Sequence, residues 1–276
     1  MKKVSIIIPC YNKGKYVKDA IESALHQTYQ NIEIVCVNDA STDDSGEILK
    51  EFSKKYEIKL IENENNMGVV YSRNCAIEAS SGDYILPLDA DDTIEPSYVE
   101  KAAEILNSRP DIGVVYCQYR YFGKSNRKII LPNVTKEYLL YSSCISSCSM
   151  FRRTDFLSIG GYKGFMKNGC EDWELWLNFY ENEFKFYLIN EYLLNYRKIK
   201  DKTRTNTADN DIVHIKQNLL KEHLNLYLSD ENFIDKVFNT NYSLYKKYKK
   251  YKNLFNYTIM ISAIIIFVLL IIIIWS

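Results

Sequence analysis

Tyr84-Ile85-Leu86-Pro87-Leu88-Asp89-Ala90-Asp91-Asp92 is the stretch on which the reading of this chain turns. Five largely apolar residues have the length and character of a buried strand, and they stop at three carboxylates within four positions. Carboxylates this crowded repel one another unless a cation stands among them. Their hard oxygen donors suit magnesium or manganese, completed by water and substrate phosphates. Taken alone, the run also fits a solvated acidic loop in which Asp92 caps the helix that follows.

Upstream, the same strand-then-polar-loop unit recurs. The β-branched residues 4–8 end at Pro9 and lead through Tyr11 and Asn12 to Val17, Ala20, Ile21, Ala24 and Leu25, which are spaced as one face of a helix. Residues 32–37 form a second strand, followed by the turn-rich loop 38–43 and a helix carrying Ile48, Leu49 and Phe52. Residues 59–61 are a third strand, and Asn66 and Gly68 precede a helix through Ala76, Ile77 and Ala79. Strands alternating with helices predict an α/β fold with a mostly parallel sheet flanked by helices on both faces. Ligands of such sheets bind beyond the carboxyl ends of the strands, where Tyr11, Asn12, Asp39, Asp89, Asp91 and Asp92 all fall.

Downstream the pattern loosens. A helix is expected after Pro96 to about Ser108, a strand over 112–122, half of a hairpin at 129–131 and a strand at 146–151. Residues 171–180 read as a helix with Trp173, Trp176, Leu177 and Tyr180 on one face. From about Thr203 the chain is polar and helical, as a connector would be.

The composition allows one large domain and an appendage: 276 residues, 47% hydrophobic and 25% charged. Thirty-five basic and thirty-five acidic side chains cancel, so no broad positive field marks a nucleic-acid partner. Seven cysteines without a CxxC pair signal neither zinc nor a disulfide framework, and a reducing compartment follows. Lys2 and Lys3 lead into an apolar run too short for a signal peptide. Residues 258–275 carry no charge and are dominated by isoleucine, which predicts a membrane-spanning C-terminal anchor. The lysines and tyrosines of 245–252 before it place the preceding domain on the cytoplasmic side.

Around the acidic run, Asp39 can accept hydrogen bonds from a base or ribose, or stabilise a turn, and the forked donors of Arg73 suit a phosphate, or an exposed place on its helix. Several motifs then occur in a recognisable order. Pro9-Cys10-Tyr11-Asn12, the loop 37–43, Asn66-Met67-Gly68 with Ser72-Arg73-Asn74, Gly82-Asp83-Tyr84-Ile85, the DxD of Asp89-Ala90-Asp91, and Glu171-Asp172 opening an aromatic helix resemble the family 2 glycosyltransferases. The resemblance covers about residues 3–198.

It implies a Rossmann-like fold of GT-A type and an inverting, metal-dependent transfer of one sugar from a nucleoside diphosphate donor to a hydroxyl. Carried over by position, Tyr11 and Asp39 would hold the nucleobase, with Pro9 shaping the same loop and Asn12 at the donor. Arg73, Asp89 and Ala90 would lie at the ribose or diphosphate, Asp91 with Asp89 would hold Mn2+ or Mg2+, and Asp172 would be the base. Glu171 would assist at the catalytic centre by orienting the loop or touching the acceptor. As a residue opening a helix, Asp172 is also a plausible N-cap. No QxxRW element follows, which favours addition of single sugars over processive synthesis. Arg197 reads by default as a surface arginine, and His214 as a lone histidine of little weight.

The expected organisation is a catalytic domain over 1–202, a basic helical connector over 203–254 and an anchor over 255–276. With a lipid-linked or glycan acceptor, the anchor points to synthesis of a surface polysaccharide or lipopolysaccharide at the plasma membrane, and UDP is the first expectation for the donor. Nucleotidyl transfer, and a non-catalytic membrane scaffold that binds nucleotide sugars, are the competing readings.

Overall fold

The computed structural model describes residues 1–167, 169–199, 204–233 and 235. Two compact units divide the chain, Met1–His223 and Leu224–Ser276. In the second, the short helix α9 (Leu224–Leu228) contributes Tyr227, which packs on Phe233 with ring centroids 5.5 Å apart. The apolar run 258–275 and the lysine-tyrosine tract 245–252 lie outside the described residues. Among the described residues, no helix is long and apolar enough to cross a membrane.

The first unit is built on β1 (Val4–Cys10), whose residues from Val4 to Ile8 are all buried. Such a run belongs in the middle of a sheet covered on both faces. The helix α1 (Gly14–Leu25) turns Val17, Ala20, Ile21 and Ala24 inward, at the spacing the sequence predicts. It is followed by β2 (Ile32–Asn38), α2 (Ser45–Tyr56), β3 (Lys59–Glu62), α3 (Val69–Ala79) and β4 (Tyr84–Pro87). β3, β2, β1 and β4 lie side by side, all parallel.

Beyond β4 the sheet changes character. The rest of the unit comprises β5 (Thr93–Ile94), α4 (Tyr98–Ser108), β6 (Ile112–Gly123), β7 (Lys128–Ile129), α5 (Lys136–Tyr141), β8 (Met150–Arg152), α6 (Arg153–Ser158), α7 (Glu171–Glu181), β9 (Lys185–Lys198) and α8 (Arg204–Glu222). The sheet order is β3-β2-β1-β4-β8-β6-β9-β5, with β7 on β6 as the expected hairpin. β8 is antiparallel to both β4 and β6, and β5 is antiparallel to β9, so the sheet is mixed rather than mostly parallel. The inserted strand has three residues, and Ser146 to Ser149 before it give no strand-forming side chains.

The helix α7 also departs from expectation. Glu171, Trp173, Glu174, Leu175, Trp176, Leu177, Asn178 and Phe179 are all buried, so it is enclosed rather than amphipathic. His223 contributes to that enclosure, reaching Glu181 Oε2 at 2.7 Å and Glu174 Oε1 at 3.5 Å. Burial opposes the imidazolium, but these two carboxylates outweigh it and raise its pKa.

At the amino-terminal end of the parallel strands, Glu33 ties three elements together. It accepts hydrogen bonds from the Ser5 hydroxyl, from Ser81 N at 2.6 Å and from Gly82 N at 3.0 Å. Burial alone would raise its pKa, but these donors and Lys3 pull it down to about 2. A depressed carboxyl stabilises the fold above its unfolded pKa, and that stability is lost as pH falls toward 2. In acid titration of unfolding, Glu33→Gln should flatten the stability slope in that window; an unchanged slope would refute the assignment.

Candidate active site

The loops after β1, β2 and β4 meet the first turn of α7 at the carboxyl edge of the parallel strands. In the acidic turn, Asp92 N donates to Asp89 O at 3.0 Å, which points Asp89 and Asp91 outward and Asp92 inward. Ala90 between them is buried, which leaves no side chain to obstruct the turn.

Arg73 lies beneath that turn and is 0% exposed. One terminal nitrogen donates to Asp89 Oδ1 and the other to Glu171 Oε1, each at 2.7 Å. Its guanidinium carbon stands 5.4 Å from the centre of the Tyr162 ring. Asn74, the next residue of α3, grips the Tyr162 backbone, donating to its carbonyl at 2.9 Å and accepting from its N–H at 3.2 Å. Residues 98 positions apart, Arg73 and Glu171, are thus joined in the core. A buried guanidinium requires such pairing, because the desolvation of an unpaired charge is prohibitive.

Lys13 and Arg197 surround the outer side. Lys13 Nζ pairs with Asp91 Oδ2. Arg197 donates from its backbone N–H to Asp92 Oδ1 at 2.7 Å, from Nε to Asp91 O at 2.8 Å and from Nη2 to Asp19 Oδ2 at 2.7 Å. Its guanidinium also lies 4.1 Å from the Phe122 ring centre. It is therefore no surface arginine: its side chain is 15% exposed and braces the acidic turn.

Asp92 is no helix cap either, since β5 follows it directly and Ser97 precedes α4. Burial above all, and then the charges of Asp89 and Asp91, push its carboxyl well above the usual range. Lys13 carries no motif that marks it beforehand, and only its place directly after Tyr11-Asn12 could have suggested a role. His214 is exposed on α8.

Asp39, buried at 3% exposure, accepts from Asn63 Nδ2 at 2.6 Å, Met67 N at 2.9 Å and Gly68 N at 2.8 Å. It shapes the loop before α3, where Gly68 takes φ +84°, a conformation suited to glycine. Tyr11 is 44% exposed at the same edge, just after the half-buried Pro9. Asn12 has φ +52°, and its side-chain oxygen accepts from Thr42 N at 2.8 Å, joining the loops after β1 and β2.

Asp172 is half-buried in the first turn of α7, and its Oδ1 accepts from Trp173 N at 2.8 Å. The N-cap position belongs to Cys170, at φ +57°, which makes no side-chain cap hydrogen bond, so Asp172 satisfies a first-turn N–H from within the helix. Glu171 beside it points into the core, at 1% exposure.

Comparison with known proteins gives the family and the fold. EpsE of Bacillus subtilis (strain 168), named as a glycosyltransferase, is 31% identical over 246 residues, covering 85% of this chain and 87% of EpsE. The glycosyltransferase RP339 of Rickettsia prowazekii (strain Madrid E) is 34% identical over 221 residues, 76% of this chain and 68% of its own. The crystal structure of S. aureus TarS 1-349 in complex with UDP-GlcNAc superposes with a TM-score of 0.65 at 19% identity, over 86% of this chain and 75% of that one. That likeness gives the fold, an α/β architecture of GT-A type with a mixed sheet. Residues 5–160 match the family Glycosyl transferase family 2, and with relatives of this identity and coverage the chain is a member of that family.

Proposed function

We propose that the chain transfers a single hexosyl or N-acetylhexosaminyl unit, with inversion, from a nucleoside diphosphate sugar to a hydroxyl of a lipid-linked glycan. The observation that carries this reading is the junction of the acidic turn with the helix bearing Asp172, made through Arg73 across one sheet edge. Exposed Tyr11 beside the loop shaped by Asp39 supports a nucleobase site. A UDP-sugar is the favoured donor because the TarS structures of the same fold hold UDP-GlcNAc and UDP.

Asp172 takes the proton of the acceptor hydroxyl as that oxygen bonds to the anomeric carbon, while the bond from that carbon to the diphosphate breaks on the opposite face. The transition state is oxocarbenium-like. Among the described residues, no set of three or more His, Cys, Asp or Glu forms a complete metal cage. Asp89 and Asp91 still fit Mn2+ or Mg2+, since ions of this class accept one or two carboxylates and complete their shell with water and phosphate oxygens. Bound there, the ion would offset the charge developing on the leaving diphosphate.

In this reading residues 1–202 are the catalytic domain, 203–254 a connector and 255–276 a plasma-membrane anchor that keeps the site cytoplasmic. The product would belong to a surface polysaccharide or lipopolysaccharide.

The test is a panel of UDP-hexoses and UDP-N-acetylhexosamines offered to the full chain in vesicles with bacterial glycolipid and Mn2+ or Mg2+. Release of UDP and mass spectrometry of the glycolipid are the readouts. One donor should be consumed, with loss of turnover on chelation; failure of every UDP-sugar would overturn the UDP donor, and failure of the matching GDP-, ADP- and dTDP-sugars as well would overturn the proposal.

A further inference from the structure

We infer that Arg73 and Glu171 are positioning residues: Glu171 aims the guanidinium, the guanidinium fixes Asp89, and neither touches the donor sugar. This rests on the transferase reading above and gives the two residues a role different from donor contact or proton transfer.

Burial decides against donor contact. Arg73 is fully enclosed, its two terminal nitrogens donate to Asp89 and Glu171, and its Nε is buried with no hydrogen-bond partner. A phosphate could reach it only by entering the core. Of the three charged members, Asp89 alone meets solvent, with a side chain 29% exposed against 0% and 1% for Arg73 and Glu171. The carboxylate that faces the donor therefore stands on an arginine that does not.

Burial likewise argues against Glu171 as a base, because an acceptor hydroxyl would have to reach a side chain only 1% exposed at the start of α7. Its neighbour Asp172 is half-buried at the same helix start, and the Arg73 charge acts on it as well. The choice of arginine is physical: a planar fork can hold two carboxylates in fixed directions, whereas an ammonium is a point charge without that geometry. Tyr162 supports the fork from one side and is itself held by Asn74, so consecutive residues of α3 set the guanidinium and its platform. A shift of the acidic turn relative to α7 would have to break this ladder.

The experiment compares Arg73→Lys, Arg73→Met, Glu171→Gln, Glu171→Leu and the double variant Arg73→Met/Glu171→Leu, reading kcat, donor KM and Tm. Arg73→Lys should lower kcat by about tenfold or more with donor KM within about threefold of wild type. Glu171→Gln, which can still accept from Arg73, should keep more activity than Glu171→Leu. Each of Arg73→Met and Glu171→Leu should lower Tm by stranding a buried charge, and the double variant should recover part of that loss. Its kcat should stay low, because the Asp89 support is gone. A tenfold rise in donor KM at unchanged kcat would make Arg73 a donor contact. Recovery of kcat together with Tm would make the pair merely structural. Wild-type chain without turnover would sink the transferase reading; active wild type with unaltered Arg73→Lys would sink this inference alone.

Discussion

Replacing Asp172 with asparagine should lower turnover by about 10²–10⁴-fold, the range expected on removal of a general base, if Asp172 is the base proposed above. The substitution isolates the proton-accepting role because asparagine keeps a side-chain oxygen for the Trp173 N–H, the local contact that Asp172 makes at 2.8 Å. The start of α7 should therefore survive, and Tm should move little. Donor KM should also change little, since the proposal places the donor at the acidic turn after β4. The kcat–pH profile is the sharper readout: wild type should show an acidic limb from the base, and the variant should lose it. Turnover within tenfold of wild type, on the same profile, would move the base elsewhere.

The largest stability effect is expected at Trp176. It is 0% exposed in the middle of α7, with ring-centre distances of 6.2 Å to Phe151 and 6.1 Å to Phe179. Trp176→Ala removes the whole indole from a packed aromatic cluster and should cost about 3–5 kcal/mol. Against a total of about 5–15 kcal/mol for an ordinary domain, that loss endangers folding at growth temperature. Trp176→Phe should cost clearly less. The indole Nε1 is buried without a hydrogen-bond partner, so phenylalanine gives up volume but also removes an unsatisfied donor worth about 1–3 kcal/mol. Denaturant unfolding with an unchanged m-value would measure both; equal losses in the two variants would show that a phenyl ring fills this site no better than a void.

Much of the first half was legible in the sequence because its strands are short apolar runs with polar loops at one end, and each run pairs with its neighbour in parallel. The burial of Ile6 to Ile8, the inward face of α1 and the gathering of Tyr11, Asp39 and Asp89 at one edge all follow from that grammar. The second half was less legible for physical reasons. β8 is three residues long, and nothing in Met150-Phe151-Arg152 announces that it will separate β4 from β6 in the antiparallel sense. β9 spans Lys185–Lys198, but polar residues interrupt it and its register with β6 shifts repeatedly, which blurs any period-two pattern. At the site, motif order identified Arg73 and Glu171 but not their ion pair, because that contact is tertiary. Lys13 and Arg197 carry charges that ordinary surface residues carry too, and only folding brings them against Asp91 and Asp92.

The position of Arg197 also bears on the order in which the chain acquires its working edge. β5 follows the acidic turn directly yet pairs with β9, so its partner lies about a hundred residues later, as in Thr93 opposite Asn195. Arg197 reaches back 106 residues to Asp91 O and 178 residues to Asp19. At ribosomal rates of about 5–20 residues per second, roughly 5–20 seconds separate synthesis of the acidic turn from arrival of its brace. Closures this long come late in folding, because chain entropy is surrendered before the contacts that reward it can form. The candidate site edge is therefore complete only in a chain whose β9 has been made and paired with β6.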